Sequence, residues 1–186
     1  MKVLIKENTI GFKFDGLQLT LLCVEDLPYT LAWRNLQKEW FNSSDIIAWT
    51  DHLNWFKQYE QKNNDFVFII QDGMGNRFGQ VAVYDIDYNT KTAEFGRFIV
   101  NPASAGKGYM KKSGQAIISL CFNKLQLSVL HLQVKKNNQR ALRLYQSLGF
   151  TFTQETPDKI FMALNKNNNL ILNQTKFCEP ILKTDN

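Results

Sequence analysis

The sequence predicts an α/β (α+β) domain on a mixed, mostly antiparallel central sheet with one parallel strand pair and about four flanking helices. Three observations carry that expectation. Apolar runs of strand length, LQLTLLCV at 17–24, DFVFII at 65–70 and TAEFGRFIV at 92–100, are rich in β-branched and aromatic residues. Turn text, Gly73-Met74-Gly75-Asn76 and then Asp87-Tyr88-Asn89-Thr90-Lys91, separates neighbouring runs. A helix-periodic segment lies between the runs at 92–100 and 129–134, and strand, helix, strand is the order of a parallel crossover.

Taken in order, residues 1–16 hold a short alternating run ending in the turn signal Phe12-Lys13-Phe14-Asp15-Gly16, compatible with an opening hairpin. Residues 17–24 follow as the first strand of the main sheet. Glu25-Asp26-Leu27-Pro28 opens a helix, with Pro28 tolerated in its first turn. Ser44 or Asp45 is placed to cap a second helix over 46–62, with Ile46, Trp49, Leu53, Phe56 and Tyr59 as its apolar stripe. Strands at 65–70, 78–85 and 92–100, a helix at 110–125, a strand at 129–134, a helix beginning near Asn138, and a hairpin of 150–153 with 160–164 complete the domain. The domain is expected to span 1–164. Residues 165–186 form an extension whose apolar clusters, 170–172 and 177–182, suit either a docked strand or a subunit contact such as a homodimer makes.

Composition narrows the function classes. Of 186 residues, 44% are apolar and 21% charged, which is globular rather than disordered. No run approaches the roughly 18 apolar residues of a membrane-spanning helix, so no membrane partner is expected. Lys6, Glu7 and Asn8 interrupt what would be the apolar part of a signal peptide, and a cytoplasmic location is expected. Cys23, Cys121 and Cys178 are widely spaced and show no metal or disulfide pattern; they read as reduced thiols, and no metal site is expected. A net charge of +5 permits a nucleic-acid partner, but no nucleic-acid motif accompanies it, and none is expected.

Gly106 and Gly108 stand between the strand ending at Val100 and the helix beginning near Tyr109. Residues without Cβ atoms at a helix N-terminus expose unpaired amides to an anion, which is a phosphate-binding design. The Walker pattern is absent, and Lys111 stands where G-x-G-x-x-G needs its last glycine. Downstream the chain reads Asn138-x-x-Ala141-x-x-Leu144-Tyr145-x-x-x-Gly149-Phe150. The two motifs at this spacing resemble the GNAT N-acetyltransferase superfamily, whose Gln/Arg-x-x-Gly-x-Gly/Ala signature wraps the pyrophosphate of acetyl-CoA. Ala103 stands where that signature has Gln or Arg, which removes a side-chain contact and leaves the backbone amides.

The resemblance implies a fold in which the parallel strands splay at the coenzyme, and direct transfer of an acetyl group from acetyl-CoA to a primary amine. Its implied coenzyme residues are Phe98, Ile99, Val100, Ala105, Gly106, Lys107, Gly108, Tyr109, Met110 and Asn138. Tyr145 occupies the position of the general acid, and Glu94, in family text A-E-F, that of a base. The text at Trp33-Arg34-Asn35 and DHLNWF at 51–56 looks like the branch holding nucleotide-amino-sugar and ribosomal-protein N-terminal acetyltransferases. Trp33, Arg34 and His52 are therefore the acceptor candidates, although an aromatic stripe at helical spacing also suits plain core and a lone histidine suits a surface position. A small amine on a nucleotide-linked sugar is the expected acceptor. A peptide N-terminus, or a silent acyl-CoA-binding module, is the alternative.

Overall fold

The computed structural model of the chain describes residues 9–168 and 179–182. Strands β1 (Thr9–Phe14) and β2 (Leu17–Leu21) form the opening hairpin, and α1 (Leu27–Leu36) and α2 (Trp49–Glu60) follow. The meander β3 (Phe66–Gln71), β4 (Arg77–Asp87) and β5 (Thr92–Val100) leads into α3 (Tyr109–Ser119), extended by a π-helical turn over Leu120–Lys124. Then come β6 (Val129–Lys135), α4 (Gln139–Ser147), the hairpin β7 (Thr151–Glu155) and β8 (Lys159–Asn165), and β9 (Glu179–Leu182). Among the described residues these strands make one sheet, ordered β7-β8-β6-β5-β4-β3-β2-β1-β9. The β5–β6 pair is parallel and the other pairs are antiparallel.

Alternation along β3 divides the core between the two faces of the sheet. Phe66, Phe68 and Ile70 join Val81, Phe95 and the buried faces of α3 and α4, including Ile117, Leu142 and Leu148. Val67 and Ile69 point the other way, toward Leu27, Phe56 and Tyr59 of α1 and α2. The candidate cleft lies at the β5–β6 junction.

Three local expectations are corrected. The first main strand stops at Leu21, because Asp26 turns the chain by accepting the Cys23 N–H and Sγ–H, and also pairs with Arg77 at 2.7 Å. The second helix begins at Trp49 rather than Ile46, with neither Ser44 nor Asp45 as its cap. Residues 41–48 are instead held open by α1. The Arg34 guanidinium donates to the Ser43 and Asp45 carbonyls, and the Asn35 amide donates to Ile47 O and accepts from Ile47 N–H. Backbone groups fixed this way are not available to a helix. Ile46 is consequently 71% exposed and Trp49 45%, and the buried stripe of α2 is His52, Phe56 and Tyr59.

At the far edge of the sheet β9 pairs with β1, Lys13 opposite Glu179 and Phe12 opposite Pro180. The cluster at 170–172 and Cys178 lie outside the described residues. Cys23 and Cys121 form no disulfide among the described residues.

Candidate active site

Strand β5 ends in a turn that backbone chemistry dictates. Asn101 accepts the Ala103 N–H and donates to Arg77 O, which closes a 3-10 turn over Pro102–Ser104. Gly106 and Gly108 then adopt φ of +82° and +81°, the left-handed region that side chains disfavour, and Gly108 is the N-cap of α3. A Cβ at either glycine would meet no heavy atom within 4 Å, so the turn is open on that side. Lys111 and Lys112 N–H both reach Gly108 O, which leaves the Tyr109 and Met110 amides ahead of the first helical bond. This cradle fits a diphosphate. The Tyr109 ring is spent on packing, stacked 4.1 Å from Phe78.

Beside the turn, β5 and β6 pair only from Thr92↔Val129 to Glu94↔His131, and then part. Two cavities follow that gap, and a third adjoins them. The first, about 540 Å³, is lined by Phe98, Val100, Gly106, Gly108, Tyr109, Met110 and Asn138 of the expected coenzyme set. Asn138 also caps α4 by accepting the Ala141 N–H at 3.1 Å. Ala105 and Lys107 are exposed on the turn itself, and Ile99 faces the opposite side of the sheet. Gln37, which no sequence motif marks, lines this cavity and donates to Val100 O at 2.8 Å.

The second cavity, about 410 Å³, passes through the sheet and shares Trp40, Phe41, Phe98, Asn138 and Leu144 with the first. Tyr145 lines it, with its ring edge-on to Phe98 at 5.6 Å and to Phe95 at 6.4 Å. Burial, reinforced by Tyr84, pushes its phenol well above the usual tyrosine value. The third cavity, about 470 Å³, lies between α1, α2 and the sheet; Phe41 lines all three, and Arg97 lines the second and third.

A glycine cradle at a helix start, a cleft between parting parallel strands and a buried tyrosine beside it form the geometry of an acyl-coenzyme site. The family model described as an acetyltransferase (GNAT) domain matches residues 17–151. The chain belongs to the GNAT acetyltransferases. As such it is an N-acetyltransferase and takes acetyl-CoA as acyl donor. Its relatives include the spermidine N(1)-acetyltransferase of Vibrio cholerae, 25% identical over 69% of this chain and 73% of the relative. Acetyltransferase PseH of Campylobacter jejuni is 28% identical over 79% of this chain and 90% of the relative. Among solved structures, the V. cholerae spermidine enzyme in complex with CoA and spermine superposes with a TM-score of 0.75 at 22% identity, covering 82% of this chain and 97% of that one. Apo FdhC, a nucleotide-linked sugar GNAT, superposes at 0.74 and 21% identity, covering 86% and 92%.

On the acceptor side of this GNAT enzyme the expected residues separate. Trp33 is buried against Tyr29 and lines none of the three cavities. Arg34 lines the third cavity, but its guanidinium already serves two carbonyls and lies over the Phe41 ring at 5.4 Å. His52 is not at the surface. It is 7% exposed, bonded through Nε2 to Thr30 Oγ1 at 2.9 Å and stacked on Trp55, because α1 and α2 close over it. Burial, helped by Arg34, lowers its pKa, so the ring is neutral near pH 7. Glu94 lines none of these cavities. Among the described residues its Oε2 is buried without a hydrogen-bond partner, and burial raises its pKa against the opposing charge of His131. The sequence also gave no sign of Arg97, whose φ of +50° marks the bulge that breaks β5.

Proposed function

We propose that the chain acetylates a primary amine on a small, nucleotide-linked amino sugar, by direct transfer from acetyl-CoA held across the first two cavities. The observation that supports this acceptor is the third cavity. It is walled by Ile46, Ile47, Ile99 and the stacked His52–Trp55 pair, and it meets the second cavity at Phe41 and Arg97. Flat apolar walls with a few polar groups suit a sugar or base face. Arg97, paired with Asp65 at 2.7 Å and with a side chain 26% exposed, has donors left over for a phosphate.

Each residue then has a task. The Gly106–Gly108 turn binds pyrophosphate and the β5 edge holds the pantetheine arm. Tyr145 donates a hydrogen bond to the leaving thiolate; by ordinary pKa values, full transfer from a phenol to that thiolate is uphill by about 2 kcal/mol, and burial widens the gap. Glu94 is the terminal proton acceptor for the amine. A polyamine is the second reading, favoured by the carboxylates of Asp45 and Asp51 on the third cavity.

The test is thiol release from acetyl-CoA with a panel of nucleotide-linked amino sugars, polyamines, aminoglycosides and N-terminal peptides. Turnover of sugars is expected. Turnover of peptides or polyamines alone defeats the sugar reading. Tight acetyl-CoA binding with no release from any amine defeats the enzymatic one.

A further inference from the structure

Glu94 does not line the cavity in which its substrate must react, so a group that does line it has to carry the proton. We infer that Tyr84 is that group: its hydroxyl accepts a proton from the acceptor amine in the second cavity and passes its own to Glu94. The inference rests on the acetyl-transfer reading above and adds a catalytic residue to it.

Four observations place Tyr84 there. It stands opposite Glu94 in the β4–β5 register, while Glu94 stands opposite His131 in the β5–β6 register, so the three share one face. Tyr84 lines the second cavity, as Tyr145 does, and Glu94 does not. Its hydroxyl lies over Gly96, where a Cβ would come within 3.3 Å of the oxygen and crowd it. Its ring is held from behind by the Arg97 guanidinium, 3.9 Å from the centroid, which Asp65 anchors at 2.7 Å. No hydrogen bond joins the Tyr84 hydroxyl to Glu94, whose buried Oε2 has no partner among the described residues, so the relay includes one bridging water.

The proton count closes. The ammonium N–H proton goes to Tyr84 Oη as the Tyr84 O–H proton goes through the bridging water to Glu94, which leaves a free amine, a neutral tyrosine, an unchanged water and a protonated carboxyl. The amine nitrogen bonds to the acetyl carbon, the carbon–sulfur bond breaks, and the second nitrogen proton leaves with the thiolate as CoA thiol. Glu94 returns its proton to solvent past exposed His131. Burial holds the phenol near 12, so Tyr84 relays and does not store charge. The charged groups facing it are Glu94, Asp85 and Asp65, which raise it, and Arg97, which lowers it; Lys135, Lys159 and the Tyr145 phenol share its cavity.

Tyr84→Phe keeps the ring and its Arg97 contact. With acetyl-CoA and a UDP-linked amino sugar, or spermidine if only that is acetylated, kcat near pH 7 should fall about 10- to 100-fold. Acetyl-CoA affinity should be unchanged, and the defect should vanish above the pKa of the amine, where no proton need be removed. Glu94→Gln should give a similar loss, and the double variant no more than the larger single one. Gly96→Ala, which crowds the hydroxyl, should slow the wild type and leave Tyr84→Phe unaffected. A defect constant with pH, additive losses, or wild-type rates in Tyr84→Phe would overturn the inference and leave acetyl transfer standing. A wild type that acetylates neither probe would overturn both.

Discussion

The proposed coenzyme side and the proposed acceptor side of the cleft are built from different materials. The first is backbone: two left-handed glycines, a helix start and a strand edge. The second is side chains holding an irregular segment in place, with Arg34 and Asn35 bonded to the 43–47 backbone and Gln37 reaching Val100. A backbone site constrains residue type at fixed spacing and tolerates little change. A site held by side chains can be rebuilt by exchanging anchors, so one coenzyme machine can serve many acceptors.

That contrast breaks most visibly at Gly108. Valine there meets a disfavoured φ and fills the open side of the cradle. Acetyl-CoA affinity, measured by calorimetry, should drop by at least about 100-fold, the scale of losing several charge-assisted bonds. Unfolding should stay cooperative. Unchanged affinity would mean that the turn does not hold the diphosphate. Tyr145→Phe should leave coenzyme affinity alone and reduce turnover roughly 10- to 1000-fold in thiol-release assays. A normal rate with chemistry limiting would return that ring to the core.

Arg34→Met sharpens the comparison from the acceptor side. Losing two charge-assisted bonds should lower stability by about 2 kcal/mol in denaturant titration and raise the acceptor KM, with acetyl-CoA affinity preserved. A matching loss of coenzyme affinity would show that the two sides are one unit. The smallest effect concerns pH. Because burial lowers the His52 pKa, the folded state binds fewer protons than the unfolded chain, so its contribution is present above about 6.5 and is lost as pH falls below that. His52→Gln should flatten the thermal-stability profile in that window, and an unaltered profile would show that the ring titrates freely.

Legibility follows the same division. Strand β5 and the start of α3 fall where the sequence puts them, within a residue, because glycine punctuation and apolar runs are local signals. The start of α2 was not legible: Ser44 and Asp45 look like caps, yet Arg34, some ten residues earlier in the chain, takes the carbonyl of one and of the residue before the other. His52 appeared isolated in the sequence and is buried through Thr30, a partner on another helix. The Arg97 bulge depends on Asp65, which sits before a different strand. Nothing local encodes either one.

The short overlap of β5 with β6 gives the molecule a mechanical seam. It separates a leaf of six strands, β5-β4-β3-β2-β1-β9, from one of three, β6-β8-β7. On one face α3, α4 and a shared core weld the leaves together; on the other, Lys135 Nζ to Glu39 O at 2.7 Å crosses between them. The sheet therefore opens like a book bound along one cover. A coenzyme lying between β5 and β6 supplies the missing rungs, so amide exchange along both edges should slow on binding. Melting temperature should climb with the logarithm of coenzyme concentration.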